Sequence, residues 1–187
     1  MTEYQIYPEY KESKGSWLGS IPSHWIPTPL KRVCTLCTGL TPPTSDELNY
    51  VNHDSGLPWV RPEDISEENN ETKASKFLSH KGWELMRVVS KGATLICCIG
   101  TIGKSGFVQS DVTTNQQITA ASFHYSPKFN YYLVQAAKEV MKETATGNVI
   151  LILNSERLGS IPFLSIPQQE ADKIANFLDH ETAKIDQ

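Results

Sequence analysis

The sequence lacks the features of a secreted or membrane-spanning protein. Its first ten residues have no basic start followed by an apolar stretch, so they do not predict a signal peptide. The longest apolar runs, at 95–99 and 149–153, are far shorter than the ~20 residues that cross a bilayer. Its four cysteines include an adjacent pair, Cys97 and Cys98, and are more typical of free thiols than of a disulfide framework. We therefore expect a cytoplasmic protein with no membrane partner.

The sequence also has no excess of positive charge. Lys and Arg number 17 against 21 Asp and Glu, which argues against nucleic-acid binding because such proteins draw affinity from cations that meet phosphates. However, residues 168–187 carry a net charge of −3, which leaves only −1 on the rest of the chain. One face of the body can therefore still be basic, although scattered solvated cations are the commoner arrangement. The candidates are Lys73, Lys76, Lys81, Arg87, Lys91 and Lys104.

No catalytic constellation can be recognised. The five histidines are dispersed, and none accompanies a nucleophile or an acid/base pair. The carboxylates of Glu67, Glu68 and Glu71 are more typical of a solvated loop than of a metal-dependent nuclease, whose ligands need rigid supports. We therefore predict a protein that is not an enzyme and that uses no cofactor.

Two short motifs resemble ligand sites but do not meet their requirements. Cys34 and Cys37 have zinc-ligand spacing, but a second ligand pair is missing because Cys97 and Cys98 point to opposite faces of a predicted strand. The stretch 100–105, GTIGKS, resembles a phosphate-binding P-loop. Its first glycine is replaced by Cys98, and β-like sequence follows instead of a phosphate-binding helix. The sequence therefore predicts neither a zinc site nor a nucleotide site.

The pattern of the chain predicts three parts within one main domain. Residues 1–29 form an arm whose Trp17, Leu18, Ile21 and Trp25 dock onto the body. Residues 30–164 form the body. Residues 165–187 begin with a capping box at Ser165 and continue as a helix with apolar residues at spacings of three, four and seven. This helix either packs on the domain or seeks a partner helix.

The body mixes strand and helix signals. Strands are predicted at 31–37, 57–60 and 117–123, and two strands joined by a glycine turn are predicted within 88–109. A helix is predicted at 130–143, and surface loops at 41–57 and 62–82. These signals predict an α+β fold, in which a mixed-sheet domain is followed by a C-terminal helix that continues as a coiled coil.

Several motifs in register give the chain a specific resemblance. The start, YKES at 10–13 followed by WLGSIPSHW at 17–25, is similar to the start of Type I restriction-modification specificity subunits. Behind it come KR at 31–32, GLTP at 39–42, PWVR at 58–61 with DI at 64–65, KGATLI at 91–96, IGTIGK at 99–104, TNQQI at 114–118, LNS at 153–155 and IP at 161–162. The terminal segment from QE at 169–170 to IANFLD at 174–179 completes the set. The resemblance spans nearly the whole chain.

The resemblance implies a target-recognition domain with its connecting helix. Each such domain reads one half of a split DNA target, and the helix spaces two domains and docks DNA methyltransferase (modification) subunits. Cleavage then belongs to a restriction/translocase partner in the same complex. The family's subunit has two domains and two helices, so we expect either a fragment or a half-sized subunit that pairs through its helix with a second recognition domain or a copy of itself.

The DNA-contacting residues are predicted from chemistry. Phosphates are met by Lys, Ser, Thr and backbone N–H groups, while base edges are read by Asn, Gln, Arg and Ser. The nominated residues are Lys73, Lys76, Lys91, Thr101, Lys104, Ser105, Asn115 and Gln116. Alternatively, Asn115 and Gln116 satisfy buried backbone groups. Because shared motifs are more typical of scaffold than of reader, we place the base readers in the loops 44–55 and 66–82.

The sequence leaves a second function open, that of a protein-interaction module that docks modification subunits without reading DNA. It is favoured by the acidic balance and by the apolar stretch 149–152, where relatives often carry hydroxyl and basic residues. That departure argues against a phosphate contact at 149–152. The nearly complete motif set favours DNA recognition.

Overall fold

The fold combines two four-stranded sheets with helices. The computed structural model describes residues 7–13, 17–52, 55–66 and 72–185. The strands are β1 (Tyr10–Glu12), β2 (Ser20–Pro22), β3 (Ile26–Pro29), β4 (Cys34–Thr38), β5 (Tyr50–Val51), β6 (Leu57–Val60), β7 (Lys76–Leu78), β8 (Thr94–Cys97), β9 (Ser105–Phe107), β10 (Thr113–Thr114), β11 (Ile118–Phe123) and β12 (Pro162–Ser165). The helices are α1 (His80–Glu84), α2 (Pro127–Ala136), α3 (Lys138–Thr144), α4 (Ser155–Ser160) and α5 (Gln168–Ile185). In the part of the chain described here, no helix is long and apolar enough to cross a membrane.

The central sheet is antiparallel, in the order β4-β11-β8-β9. Successive side chains of a strand point to opposite faces, and β8 is buried on both. Leu95 therefore enters a core shared with Val60 of β6, whereas Ile96 enters a core shared with Met141 of α3. The glycine-linked pair β8–β9 and the strand β11 confirm the sequence predictions.

The second sheet is mixed, in the order β10-β6-β7-β5. β10 runs parallel to β6, and the other pairs are antiparallel. The predicted α+β class with a mixed sheet is therefore confirmed. The prediction that 62–82 is only a loop is wrong, because β7 and α1 lie within it. These elements are too short to show a period; β7 forms because it pairs with β5 and β6, and α1 is capped by the Ser79 side chain.

Two predicted elements have different bounds in the structure. The strand expected at 31–37 begins only at Cys34, because Leu30–Arg32 form a 3-10 turn. The helix expected at 130–143 begins at Pro127 and is divided at Ala137, whose N–H bonds the carbonyls of both Leu133 and Val134. The single predicted helix is therefore two successive helices, α2 and α3.

The terminal helix α5 begins later than the sequence predicted. Ser165 is the last residue of β12, where it pairs with Ile26, so the predicted capping box does not form. The carbonyl of Pro167 instead accepts the first helical bonds, from Glu170 and Ala171. A helix in this place is confirmed, and its extension as a coiled coil stays a prediction.

The N-terminal segment is fastened to α5 through one carboxylate. Glu170 accepts hydrogen bonds from the Tyr7 hydroxyl at 2.5 Å and from Trp25 Nε1 at 2.9 Å, and it lies 2.8 Å from His24 Nε2. Burial by itself would raise the pKa of Glu170, but these hydrogen bonds outweigh it and hold the pKa below 4.5. Burial and the bond to Glu170 raise the pKa of Tyr7 to about 12, so its hydroxyl remains a donor.

We expect the variant Glu170→Gln to be less stable than the parent at neutral pH by about 1–3 kcal/mol, because it weakens charge-assisted bonds to three partners. A carboxylate whose pKa is lower in the folded than in the unfolded protein stabilises the fold at pH values above its unfolded pKa. This stabilisation is lost as the pH falls through the pKa of the folded state. The free-energy difference between the two proteins should therefore shrink below about pH 4.5. Urea unfolding across the acid range measures it, with the exposed Glu143→Gln as control. A difference independent of pH would contradict this account.

Candidate nucleic-acid interface

The turn between β8 and β9 forms the centre of the candidate site. Gly100 and Gly103 have φ of +78° and +79°, which glycine adopts without strain. The turn is closed by bonds from Gly103 N to Cys97 O at 3.0 Å and from Cys97 N to Lys104 O at 2.8 Å. Because strand β9 follows directly, this stretch lacks the helix N-terminus of a P-loop.

A cavity of about 320 Å³ lies beside this turn, and we call it the lysine cavity. Its described lining residues are Gly100, Thr101, Ile102, Lys104, Lys138, Lys142 and Leu151. Three of these carry ammonium groups and none carries a carboxylate, although the adjacent Glu139 lies 2.7 Å from Lys142 Nζ. Such a concave surface suits an anion such as a phosphate.

Lys104 is held in place at the rim of this cavity. Its Nζ donates to the carbonyl of Pro62 at 2.8 Å, and two further N–H donors of the ammonium remain for other acceptors. Gly103 lies so close to α3 that a Cβ there would be 2.9 Å from Lys138 Cγ. The turn therefore packs directly against the helix that supplies the other two lysines.

The structure brings together two of the nominated residues and adds two that were not nominated. Thr101 and Lys104 both line the lysine cavity, together with Lys138 and Lys142. The sequence signal for the last two was available, since lysines four apart lie on one helix face. Their approach to the turn was not visible, because it depends on how α3 packs.

Two of the residues predicted to contact DNA are buried. Ser105 is fully buried in β9, and Asn115 is 7% exposed. The Asn115 side chain accepts a hydrogen bond from Gln117 N at 3.1 Å and donates one to Gln117 Oε1 at 2.9 Å, so it satisfies groups within its own turn. Neither side chain is presented to a ligand. Gln116 is exposed, and its amide oxygen accepts a hydrogen bond from the Thr41 hydroxyl.

The two loops expected to read bases converge at the β5–β7 edge of the mixed sheet. They enclose a second cavity of about 310 Å³, the edge cavity, lined by Tyr50, Val51, Asn52, Ser75, Lys76 and Phe77. Lys76 is exposed at this edge, and Lys73 is exposed just before it. Parts of the loops, including His53, Glu67, Glu68 and Glu71, lie outside the described residues.

A polar clamp joins the edge cavity to the lysine cavity. The Asp64 carboxylate accepts hydrogen bonds from Arg61 N at 2.9 Å and from Ser75 N at 3.1 Å, and Arg61 Nη2 donates to Ser75 Oγ at 2.9 Å. Lys104 bonds Pro62, within the same 3-10 turn, Pro62–Asp64. Residues 61–64 therefore contact one lining residue of each cavity, Ser75 of the edge cavity and Lys104 of the lysine cavity.

Lys91 is not part of this group. It precedes β8, whereas Lys104 follows the turn at the other end of that strand, as the pairings Thr94 to Phe107 and Ile96 to Ser105 show. Its backbone N–H donates to Asp111 at 2.9 Å, which fixes it at the opposite end of the hairpin.

Three of the four cysteines, Cys34, Cys97 and Cys98, are buried in the cores, and Cys37 is half-buried. Cys97 and Cys98 belong to different buried clusters, as the strand alternation predicted. Burial raises the pKa of the Cys34 thiol to about 12 and also raises that of Cys98, so both favour the protonated form, which binds metals poorly. Among the described residues, no group of three or more His, Cys, Asp or Glu side chains is arranged to hold a metal ion.

The chain matches the model of a known family. The family model described as Type I restriction modification DNA specificity domain matches residues 22–186. This span contains the lysine cavity, the edge cavity and all but the last residue of the terminal segment.

Solved structures share the fold. One chain, from a structure of complex assembly and conformational transition of the type I R-M system, has a TM-score of 0.72 at 19% identity over 89% of this chain. The HsdS subunit from Thermoanaerobacter tengcongensis has a TM-score of 0.71 at 16% identity over 95%. The Type-I restriction-modification S subunit from M. genitalium has a TM-score of 0.60 at 17% identity over 83%. The matches cover 41%, 40% and 38% of those chains, so this chain corresponds to about two fifths of their length.

Proposed function

Since this chain belongs to the Type I restriction modification DNA specificity domain family, we propose that it is a sequence-specific DNA-binding module that recognises one half of a bipartite target. The structural observation that carries the proposal is the cationic lysine cavity, which the hydrogen bond from Lys104 to Pro62 links to the polar clamp that holds Ser75 of the edge cavity. Phosphate contacts give affinity and register, while base contacts give specificity, and a reader needs both kinds of surface.

The two cavities divide this work. Thr101, Lys104, Lys138 and Lys142 contact phosphates, because the cavity they line is cationic and carries a hydroxyl. The base readers come from the edge cavity and its loops, where Asn52, Ser75 and Lys76 offer amide, hydroxyl and ammonium groups. The exposed Lys73, which lies just before β7, extends this surface, and the exposed Gln116 is a further candidate contact elsewhere on the domain. The chain itself performs no chemistry on DNA, and cleavage and methyl transfer belong to its partner subunits.

The partners are held through α5. Its inner face packs Ala171 and Ala175 on the body, while Phe177 is 41% exposed and Ile174 and Leu178 are half-buried. This partly uncovered stripe fits a second recognition domain or a second copy, joined helix to helix, with the DNA methyltransferase subunits docked alongside. The restriction/translocase subunit then joins through the complex. In this proposal the arm consists of residues 1–29. The domain that recognises DNA consists of residues 30–164, and the helical spacer begins within residues 165–187.

The proposal is tested by selection from a randomised duplex pool at near-physiological salt, with the full chain alone and with its modification subunit. We expect enrichment of a short defined sequence, stronger with the subunit because a single module that holds half of the target binds weakly. The modification subunit without this chain is the control. If no sequence is enriched even with the subunit present, the protein-interaction function replaces this one, and binding to the subunit without DNA then measures it.

A further inference from the structure

The residues just before α4 form an exposed apolar projection, here called the apolar tip. Its side chains are Val149, Ile150, Leu151 and Ile152, which are 96%, 57%, 40% and 46% exposed. Four consecutive aliphatic side chains this open to water are unusual on a folded surface and mark an interaction site.

The base of the tip is held by backbone hydrogen bonds. Thr146 and Ile152 exchange N–H···O bonds of 2.9 and 2.8 Å, and Gly100 N donates to Leu151 O at 3.1 Å. Gly147 has a φ of +139°, and a Cβ there would lie 2.0 Å from the Ile150 carbonyl oxygen. The chain therefore holds Val149 and Ile150 out in the solvent on a fixed turn.

The tip borders the lysine cavity. Leu151 lines that cavity together with Lys104, Lys138 and Lys142, so an anion held by the ammonium groups would lie beside the aliphatic side chains. A phosphate flanked by bases offers this combination of charge and apolar surface. Aliphatic side chains contact thymine methyl groups or enter between base pairs.

The size of the tip also favours DNA over a protein partner. A stable protein interface buries roughly 800 Å² on each side, which is far more than four side chains supply. A wedge into a base step needs only one or two apolar side chains. Val149 and Ile150 are β-branched and stiff at χ1, so little rotamer freedom is lost when they are inserted.

We propose that Val149 and Ile150 form an apolar wedge that contacts the bases of duplex DNA while the adjacent lysine cavity holds a backbone phosphate. This inference rests on the proposed DNA-binding function and adds an element of target recognition to it. It also explains how the domain can use a segment that lacks hydroxyl and basic side chains.

The test compares the parent with the double variant V149S/I150S in complex with the modification subunit. The probes are a fluorescein-labelled duplex with the selected target half and a scrambled duplex. We expect binding to the target to weaken at least tenfold, as for the loss of a base contact. The salt dependence should stay the same because no charge is removed. Ile26→Ser, at a residue 60% exposed on β3, is the matched control and should bind like the parent.

A second readout reports on the bases themselves. With 2-aminopurine at successive positions of the target, the parent should raise the fluorescence at one step by unstacking it, and V149S/I150S should not. If V149S/I150S binds the target with an affinity within about twofold of the parent's, the loss is smaller than that of a base contact, and the wedge is overturned. Loss of subunit binding with DNA affinity retained would assign the tip to a protein partner and also overturn it. If the parent itself selects no sequence, the proposed function fails together with the wedge. If the parent selects a sequence and V149S/I150S binds it as tightly as the parent does, the wedge alone fails.

Discussion

The triple variant K104Q/K138Q/K142Q is expected to bind duplex DNA about a hundredfold more weakly than the parent at physiological salt. Each phosphate contact releases about one counterion from the DNA. The loss of one contact therefore makes the negative slope of log K against log salt less steep by ~0.9. The loss of three contacts therefore makes this slope less steep by nearly three. The loss should apply to target and scrambled duplexes alike, because phosphates carry no sequence information.

The choice of glutamine keeps this experiment interpretable. At position 104, a glutamine side chain still has an amide donor in place of the ammonium that bonds Pro62, so the hydrogen bond to that carbonyl can be retained. The matched control is K11Q/K173Q/K184Q, which removes the same number of charges from exposed positions on β1 and α5. Fluorescence anisotropy titrations at several salt concentrations measure both affinity and slope. Equal losses in the two triple variants would mean that general charge, and not the lysine cavity, attracts the DNA.

Gly39→Ala is expected to destabilise the protein by about 3–5 kcal/mol, the range of severe backbone and packing conflicts. A Cβ at this position would lie 2.3 Å from the Thr114 carbonyl oxygen and 2.4 Å from that of Asn115. These are backbone atoms at the end of β10 and in the segment that links it to β11, and Leu40 N bonds the same Thr114 carbonyl at 2.9 Å. The new methyl group therefore has to push apart the connection between the two sheets.

The control for this variant is Gly100→Ala. Gly100 has a positive φ but no atom within 4 Å of its potential Cβ, so its replacement carries only the left-handed strain of about 1–2 kcal/mol. Guanidinium unfolding at equilibrium measures both variants against the parent. If Gly39→Ala is no less stable than Gly100→Ala, Gly39 does not approach the carbonyl groups of Thr114 and Asn115 as closely as described here.

The two stability predictions concern different regions of the molecule. Glu170 fastens the N-terminal segment to α5, whereas Gly39 lies where β4 meets the link between the sheets. Sites that share no contact partners should contribute additively, so a double variant should lose about the sum of the single effects. The lysine cavity belongs to neither region, and DNA binding can thus be altered without altering these contacts.

The sequence by itself determined the fold class and the family. β8 lies within a run of apolar and β-compatible residues, 93–99, that is bounded by Gly92 and Gly100. Because side chains alternate along a strand, the neighbours Cys97 and Cys98 belong to opposite cores. These features depend on neighbours in the chain, which the sequence displays directly. The motifs from 10 to 179 likewise indicated the family, whose model matches residues 22–186.

Only the tertiary structure decided which side chains meet and which are covered. Ser105 and Asn115 have the chemistry of DNA contacts, but packing buries them, whereas Lys138 joins Lys104 because Gly103 lets the turn approach α3. β7 and α1 carry no periodic signal, and β7 forms because β5 and β6 supply its partners. Burial and proximity are set by residues distant in the chain, so a pattern of local residues cannot specify them.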